Sequence, residues 1–133
     1  MLRILLYCLL CTCLALSCAQ QKIAQLQQHI PAAVPVAKMF TAAKNGDARM
    51  MKALHSWKVQ RWVGQHDVTW EEVTGTYDEQ FSESFGDYSP ADFEFLPVKK
   101  DGQIKVRTLY RNKIVGQLRV VKQDGQWKID ELI

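Results

Sequence analysis

Four cysteines, three histidines and a dense run of aromatic residues are the side chains from which chemistry would be built in this sequence. Cys8, Cys11, Cys13 and Cys18 all fall within the first eighteen positions. Their spacing resembles a metal or redox cluster, but Cys8, Cys11 and Cys13 sit in an apolar run with no His, Asp or Glu nearby. Metal ligands are presented by turns, commonly as separated pairs, so these three are read as small apolar residues and not as ligands. From Ala19 onward there is no cysteine, so the rest of the chain relies on packing and not on disulfides.

The histidines, His29, His55 and His66, have no metal-ligand spacing, and no metal or cofactor is expected. Acid–base candidates are His55, Asp47 and the adjacent pair His66–Asp67, in which the acid could orient the ring. On an extended segment neighbouring side chains point to opposite faces, which weakens that pair. Asp67 serves equally as a cap or turn residue, and Asp47 is explained as a helix N-cap. No catalytic residue is assigned. The aromatics Trp57, Trp62, Trp70, Tyr77, Phe81 and Phe85 crowd the middle of the chain. Trp57, Trp62, Trp70, Tyr77 and Phe81 are the candidates for lining an apolar pocket or forming a partner surface; the same residues would also serve as core.

The elements that must position these groups begin with a leader. Arg3 precedes an apolar stretch from Ile4 to Leu16, shorter than the about 20 residues of a membrane-spanning helix. It fits the core of a signal peptide over residues 1–17. Leu14-Ala15-Leu16-Ser17-Cys18 resembles the bacterial lipobox, in which the Cys after a small residue becomes the lipidated first residue. The resemblance departs from the pattern at Ala15, where that family prefers Leu. It implies a lipid on Cys18 and a membrane as partner. The alternative is ordinary secretion with cleavage after Ala19. Residues 18–31, with Gln20, Gln21, Gln25, Gln27 and Gln28, read as a polar tether or a weak helix.

Residues 32–133 are expected to form one α+β domain. Val36, Met39, Phe40 and Ala43 share a helical stripe over 34–45, closed by Asn45-Gly46. Asp47 caps a second helix through about His55. Residues 56–69 read as extended or irregular. Thr69-Trp70-Glu71-Glu72 is a capping box that starts a third helix ending before Gly86. Then strand alternation takes over: Phe93 and Phe95, Ile104 to Tyr110, Ile114 to Lys122, and Trp127 to Ile129. Asp101-Gly102, Asn112-Lys113 and Asp124-Gly125 supply the turns. Turns this short demand an antiparallel meander of four strands, with helices on one face.

The helical opening Val36 to Asp47 and the closing hairpin Leu118 to Ile129 resemble the nuclear-transport-factor-two-like, or cystatin-like, domains found in small bacterial lipoproteins. The resemblance covers about residues 32–131 and its motifs are structural. It implies a curved sheet and helices enclosing a cone, whose cavity in relatives holds a ligand or an active site. The formal charge of +3 is small and Lys and Arg are scattered among acids, so nucleic acid is not expected as a partner. The expectation is an exported, lipid-anchored envelope protein whose domain binds a small apolar ligand or an envelope protein. The alternatives are a small cavity-based hydrolase or isomerase using an Asp or His, and an accessory subunit of an envelope complex.

Overall fold

A computed structural model describes residues 17–133. The leader, with Cys8, Cys11 and Cys13, lies outside the described residues.

Helix α1 spans Cys18–His29 and is opened by a reciprocal cap: Ser17 Oγ accepts from Gln20 N–H, and Gln20 Oε1 accepts from Ser17 N–H. The stretch read as a polar tether or weak helix is therefore helical, and it is tied down, because Leu26 is buried in the core. A 3-10 turn at Pro31–Ala33 leads into α2, Val34–Asn45, whose apolar stripe buries Val36, Met39, Phe40 and Ala43. Gly46 at φ 63° ends α2 in the left-handed conformation that glycine adopts without strain. Asp47 then caps α3, Ala48–Leu54, accepting from Met50 N–H at 3.0 Å.

The segment expected to be extended or irregular is instead helix α4, Trp57–Gln65. Ser56 is its N-cap, and Val59 and Val63, one turn apart, form the buried face. The two tryptophans that obscured this periodicity point outward: Trp57 is 59% and Trp62 46% exposed. The reading of His66 and Asp67 on an extended segment falls with it. They sit in the turn after α4, with Asp67 at φ 56°. Helix α5, Trp70–Phe85, starts at the expected capping box, where Thr69 Oγ1 accepts from Glu72 N–H and Glu72 Oε2 from Thr69 N–H.

Strands β1 (Phe93–Lys100), β2 (Gln103–Tyr110), β3 (Lys113–Gln123) and β4 (Gln126–Ile129) form an antiparallel meander in the order β1-β2-β3-β4. Among the described residues the fold is thus α+β, five helices followed by a four-stranded antiparallel sheet. The first and third hairpin turns are the expected Asp-Gly pairs, with positive φ at both residues. The middle turn is Arg111–Asn112 and not Asn112–Lys113: both Arg111 and Asn112 have positive φ, and Lys113 already pairs with Tyr110.

One face of the sheet carries Phe93, Phe95, Val106, Thr108, Leu118, Val120 and Ile129, all buried. Phe40 joins the helices to this face. Its ring stacks 4.3 Å from Phe93 and lies 4.5 Å from Phe81 of α5. The helical half also meets the far edge of the sheet. Ser56 N–H donates to the Ile129 carbonyl at 2.8 Å, and Ser56 Oγ–H donates to Asp130 Oδ1 at 2.6 Å. Ser56 therefore caps α4 and ties it to the end of β4. Ser56→Ala removes both bonds of the hydroxyl and leaves the Asp130 oxygen short of a partner. Urea denaturation should show a loss of about 1–3 kcal/mol.

Candidate binding site

Between α2, α5 and the start of β3 there is a cavity of about 280 Å³. Met39, Phe40, Phe81 and Phe85 form its helical wall, and Thr108 and Leu118 its sheet wall. The rings are held rigidly. Phe85 packs 5.1 Å from Phe93 and 4.8 Å from Tyr110, both edge or tilted contacts. The sheet changes register between Thr108 and Leu109, where Gly116 pairs with Thr108 but Ile114 with Leu109. The extra residue, Val115, is 42% exposed. A bulge of this kind bends the strand away from its neighbours, and here it lies at the cavity's rim. Gly116 occupies the inward-facing position opposite Thr108 and contributes no side chain, which leaves space open. A Cβ placed there would meet nothing within 4 Å.

Glu131, Leu132 and Ile133 close the cavity's other side. Polar bonds hold this segment. Glu131 Oε1 accepts from Arg119 N–H at 2.6 Å, and Ile133 N–H donates to Tyr77 Oη at 2.9 Å. Asp130 accepts from Ser56, Lys58 and Arg119. Burial opposes ionisation of Asp130, but these donors together outweigh it and hold its carboxyl below the usual range. Leu132 and Glu131 also line a second, more open cleft of about 550 Å³ bounded by Val59, Trp62 and Arg119. The segment is thus the partition between two apolar spaces.

The five aromatics singled out in the sequence do not share one wall. Phe81 lines the cavity, Trp62 the second cleft, and Trp57 with Trp70 a third of about 450 Å³. Tyr77 is 3% exposed; its burial, opposed by the bond from Ile133, raises its hydroxyl to about 12. Phe40, Met39 and Gly116, which shape the cavity, carried no sequence signal beyond helix and strand periodicity. Cys18 is exposed at the first position of α1.

His55 is fully buried and lies 5.1 Å from the Trp70 ring. Its Nδ1 is 2.7 Å from the Met51 carbonyl, so Nδ1 carries the proton and donates. Nε2 is then a bare acceptor, with no hydrogen-bond partner among the described residues. His55 lines none of the clefts described above. His66 stacks on Trp62 at 4.0 Å, and its Nδ1 faces the Trp62 carbonyl. Asp47 is occupied as a cap. Among the described residues no three His, Cys, Asp or Glu side chains are grouped to hold a metal, and no helix is long and apolar enough to cross a membrane. No family model matches the chain, and neither a curated protein nor a solved structure matches it.

Burial, only partly offset by the bond to Met51, lowers the His55 pKa from 6.5 to about 4. The folded protein therefore keeps this ring neutral where the unfolded chain would protonate it. The stability is present above the unfolded value and is lost as pH falls from 6.5 towards 4. Between pH 7 and pH 5 the loss from this group is about 2 kcal/mol. Urea midpoints at the two pH values should separate accordingly in the wild type, and His55→Phe should remove most of that separation.

Proposed function

We propose that this is an exported protein of the cell envelope, lipid-anchored through Cys18, whose domain binds a small apolar molecule in the cavity between Phe40, Phe81 and Leu118. The cavity carries the reading: rigid apolar rings and aliphatic side chains surround a space with few polar groups, as ligand sites commonly do. Cys18 supports anchoring because it follows the small Ser17 at the edge of the apolar leader and its thiol is exposed at the head of α1. The finer fold assignment, a cystatin-like cone with a curved sheet, belongs to the same proposal and draws support from the β-bulge at Val115.

A protein partner in the envelope, with the chain as an accessory subunit, is the second reading. The exposure of Trp57 and Trp62 on the outer side of α4 favours it. The Nε2 of His55, without a partner among the described residues, favours a small hydrolase or isomerase, but His55 lines none of the clefts that hold Phe81, Trp62 or Trp70.

Two measurements test the proposal. Intact mass of the protein from a bacterial host should show an acylated N-terminal Cys18, absent in Cys18→Ala; an unmodified N-terminus at Gln20 would replace anchoring with secretion. For the cavity, 1-octanol should raise the thermal midpoint of the wild type. Gly116→Leu should abolish that shift while leaving the protein folded, because a Cβ at this position meets no atom within 4 Å and the longer side chain would extend into the cavity. An unchanged octanol response in Gly116→Leu would remove the cavity as the site.

A further inference from the structure

On the other side of α2 lies a cleft of a different character. It measures about 420 Å³ and is enclosed by α2, the last turn of α3 and the β3–β4 hairpin. Lys38, Lys122 and Lys128 line it, and among the described residues no carboxylate does. Leu54, Pro35 and Trp127 give it an apolar floor.

The three lysines differ from others in the domain. Lys22 pairs with Glu94, Lys44 with Asp87 and Lys58 with Asp130. None of those ion pairs involves Lys38, Lys122 or Lys128. Two of them are positioned by other means. The Lys122 ammonium lies 5.8 Å from the centre of the Trp127 ring, and Lys128 Nζ donates to the Ala53 carbonyl at 2.6 Å. That carbonyl is in the last turn of α3, where the helix leaves carbonyls without an internal partner. Like charges gathered in one concavity repel one another, and the concavity focuses their field outward on any approaching anion.

We propose that this cleft is a binding site for an organic phosphate, with the phosphate among the three ammonium groups and an apolar or ring portion against the Trp127 indole. Lysines serve phosphate as compact point charges, which suits three donors approaching from different elements. The indole face, Pro31 and Pro35 supply contact area that inorganic phosphate alone would not use. A soluble phosphomonoester and the headgroup of an anionic phospholipid share this chemistry. The site is independent of the apolar cavity, because Lys38 and Phe40 leave α2 towards different spaces.

The test follows the Trp127 indole N–H in the NMR spectrum of the purified protein, assigned with Trp127→Phe, as phenyl phosphate is added. A saturable shift is expected. Each of Lys38→Gln, Lys122→Gln and Lys128→Gln should weaken binding roughly two- to fivefold, and the three together by roughly tenfold or more, with the affinity falling as salt rises. In parallel, the protein is sedimented with vesicles of phosphatidylglycerol or phosphatidylcholine. A preference for phosphatidylglycerol that vanishes in the triple variant identifies a lipid headgroup as the source. Phenyl phosphate binding without that preference identifies a soluble ester. The proposal is overturned if neither probe binds, if the triple variant binds both as the wild type does, or if neutral phenyl glucoside shifts the indole as strongly as phenyl phosphate. Gly116→Leu should leave these results unchanged, so failure of the apolar cavity and failure of this site are read separately.

Discussion

The contact on which the rest of the domain depends is the stack of Phe40 on Phe93. With no cysteine after Cys18, nothing covalent joins the helices to the sheet. The layers are joined by packing, and Phe40 is where it concentrates. Its ring lies within 6.2 Å of Phe81, Tyr88, Phe93 and Phe95, which come from α5, the following loop and β1. Rings of this size bury a large apolar area with few rotatable bonds, so they stabilise and rigidify together. Rigid planes also tile space imperfectly. Beside Phe40 and Phe81, where the sheet bulges at Val115 and Gly116 offers no side chain, the packing leaves the cavity open. The same feature that holds the two layers together therefore frames the space between them.

The polar counterpart is the meeting of Ser56 with Ile129 and Asp130. Asp130 is 9% exposed, and burial works against its ionisation, yet the donors around it hold its carboxyl below the usual range. Ser56, Lys58 and Arg119 supply them from α4 and β3. The bonds draw the start of α4, the edge of the sheet and residues 130–133 into one arrangement. That arrangement places Leu132 between the apolar cavity and the cleft under Trp62. His55, one residue before Ser56, is carried into the core as part of the same crossing. The backbone bridge of His55 to Ile129 sets the residue against the sheet, where its ring is buried with no partner for Nε2 among the described residues.

Much of this architecture was legible in the sequence, and the legible parts share a cause. Asn45-Gly46-Asp47 and Thr69 with Glu72 act through bonds to their own neighbours, so residue type at fixed spacing is enough to place helix ends. Asp101-Gly102 and Asp124-Gly125 likewise set their turns locally. What was missed is non-local. Helix α4 reads as irregular in sequence because Trp57 and Trp62 mask the helical spacing of Val59 and Val63, which alone within the helix are buried. Arg111 in a left-handed turn is unusual for its type, and the strand register forces it. The cavity takes residues from α2, α5, β2, β3 and residues 131–133, and no window of sequence contains that set.

The two proposed sites share elements without sharing chemistry, and geometry explains how. In α2, Lys38 and Phe40 are two positions apart, which on a helix turns their directions through roughly 200°. The first faces the basic cleft and the second the aromatic stack. In β3, Gly116 and Lys122 are six residues apart, or roughly 20 Å along the strand, so the same strand rims the cavity at one end and the cleft at the other. Lys38, Lys122 and Lys128 are kept out of the apolar space by direction and distance and not by screening. A displacement of α2 relative to β3 would alter both walls at once. Because the stack of Phe40 on Phe93 and the core beneath it resist that displacement, occupancy of one site has little structural leverage on the other, and the two are expected to act as separate sites on one rigid frame.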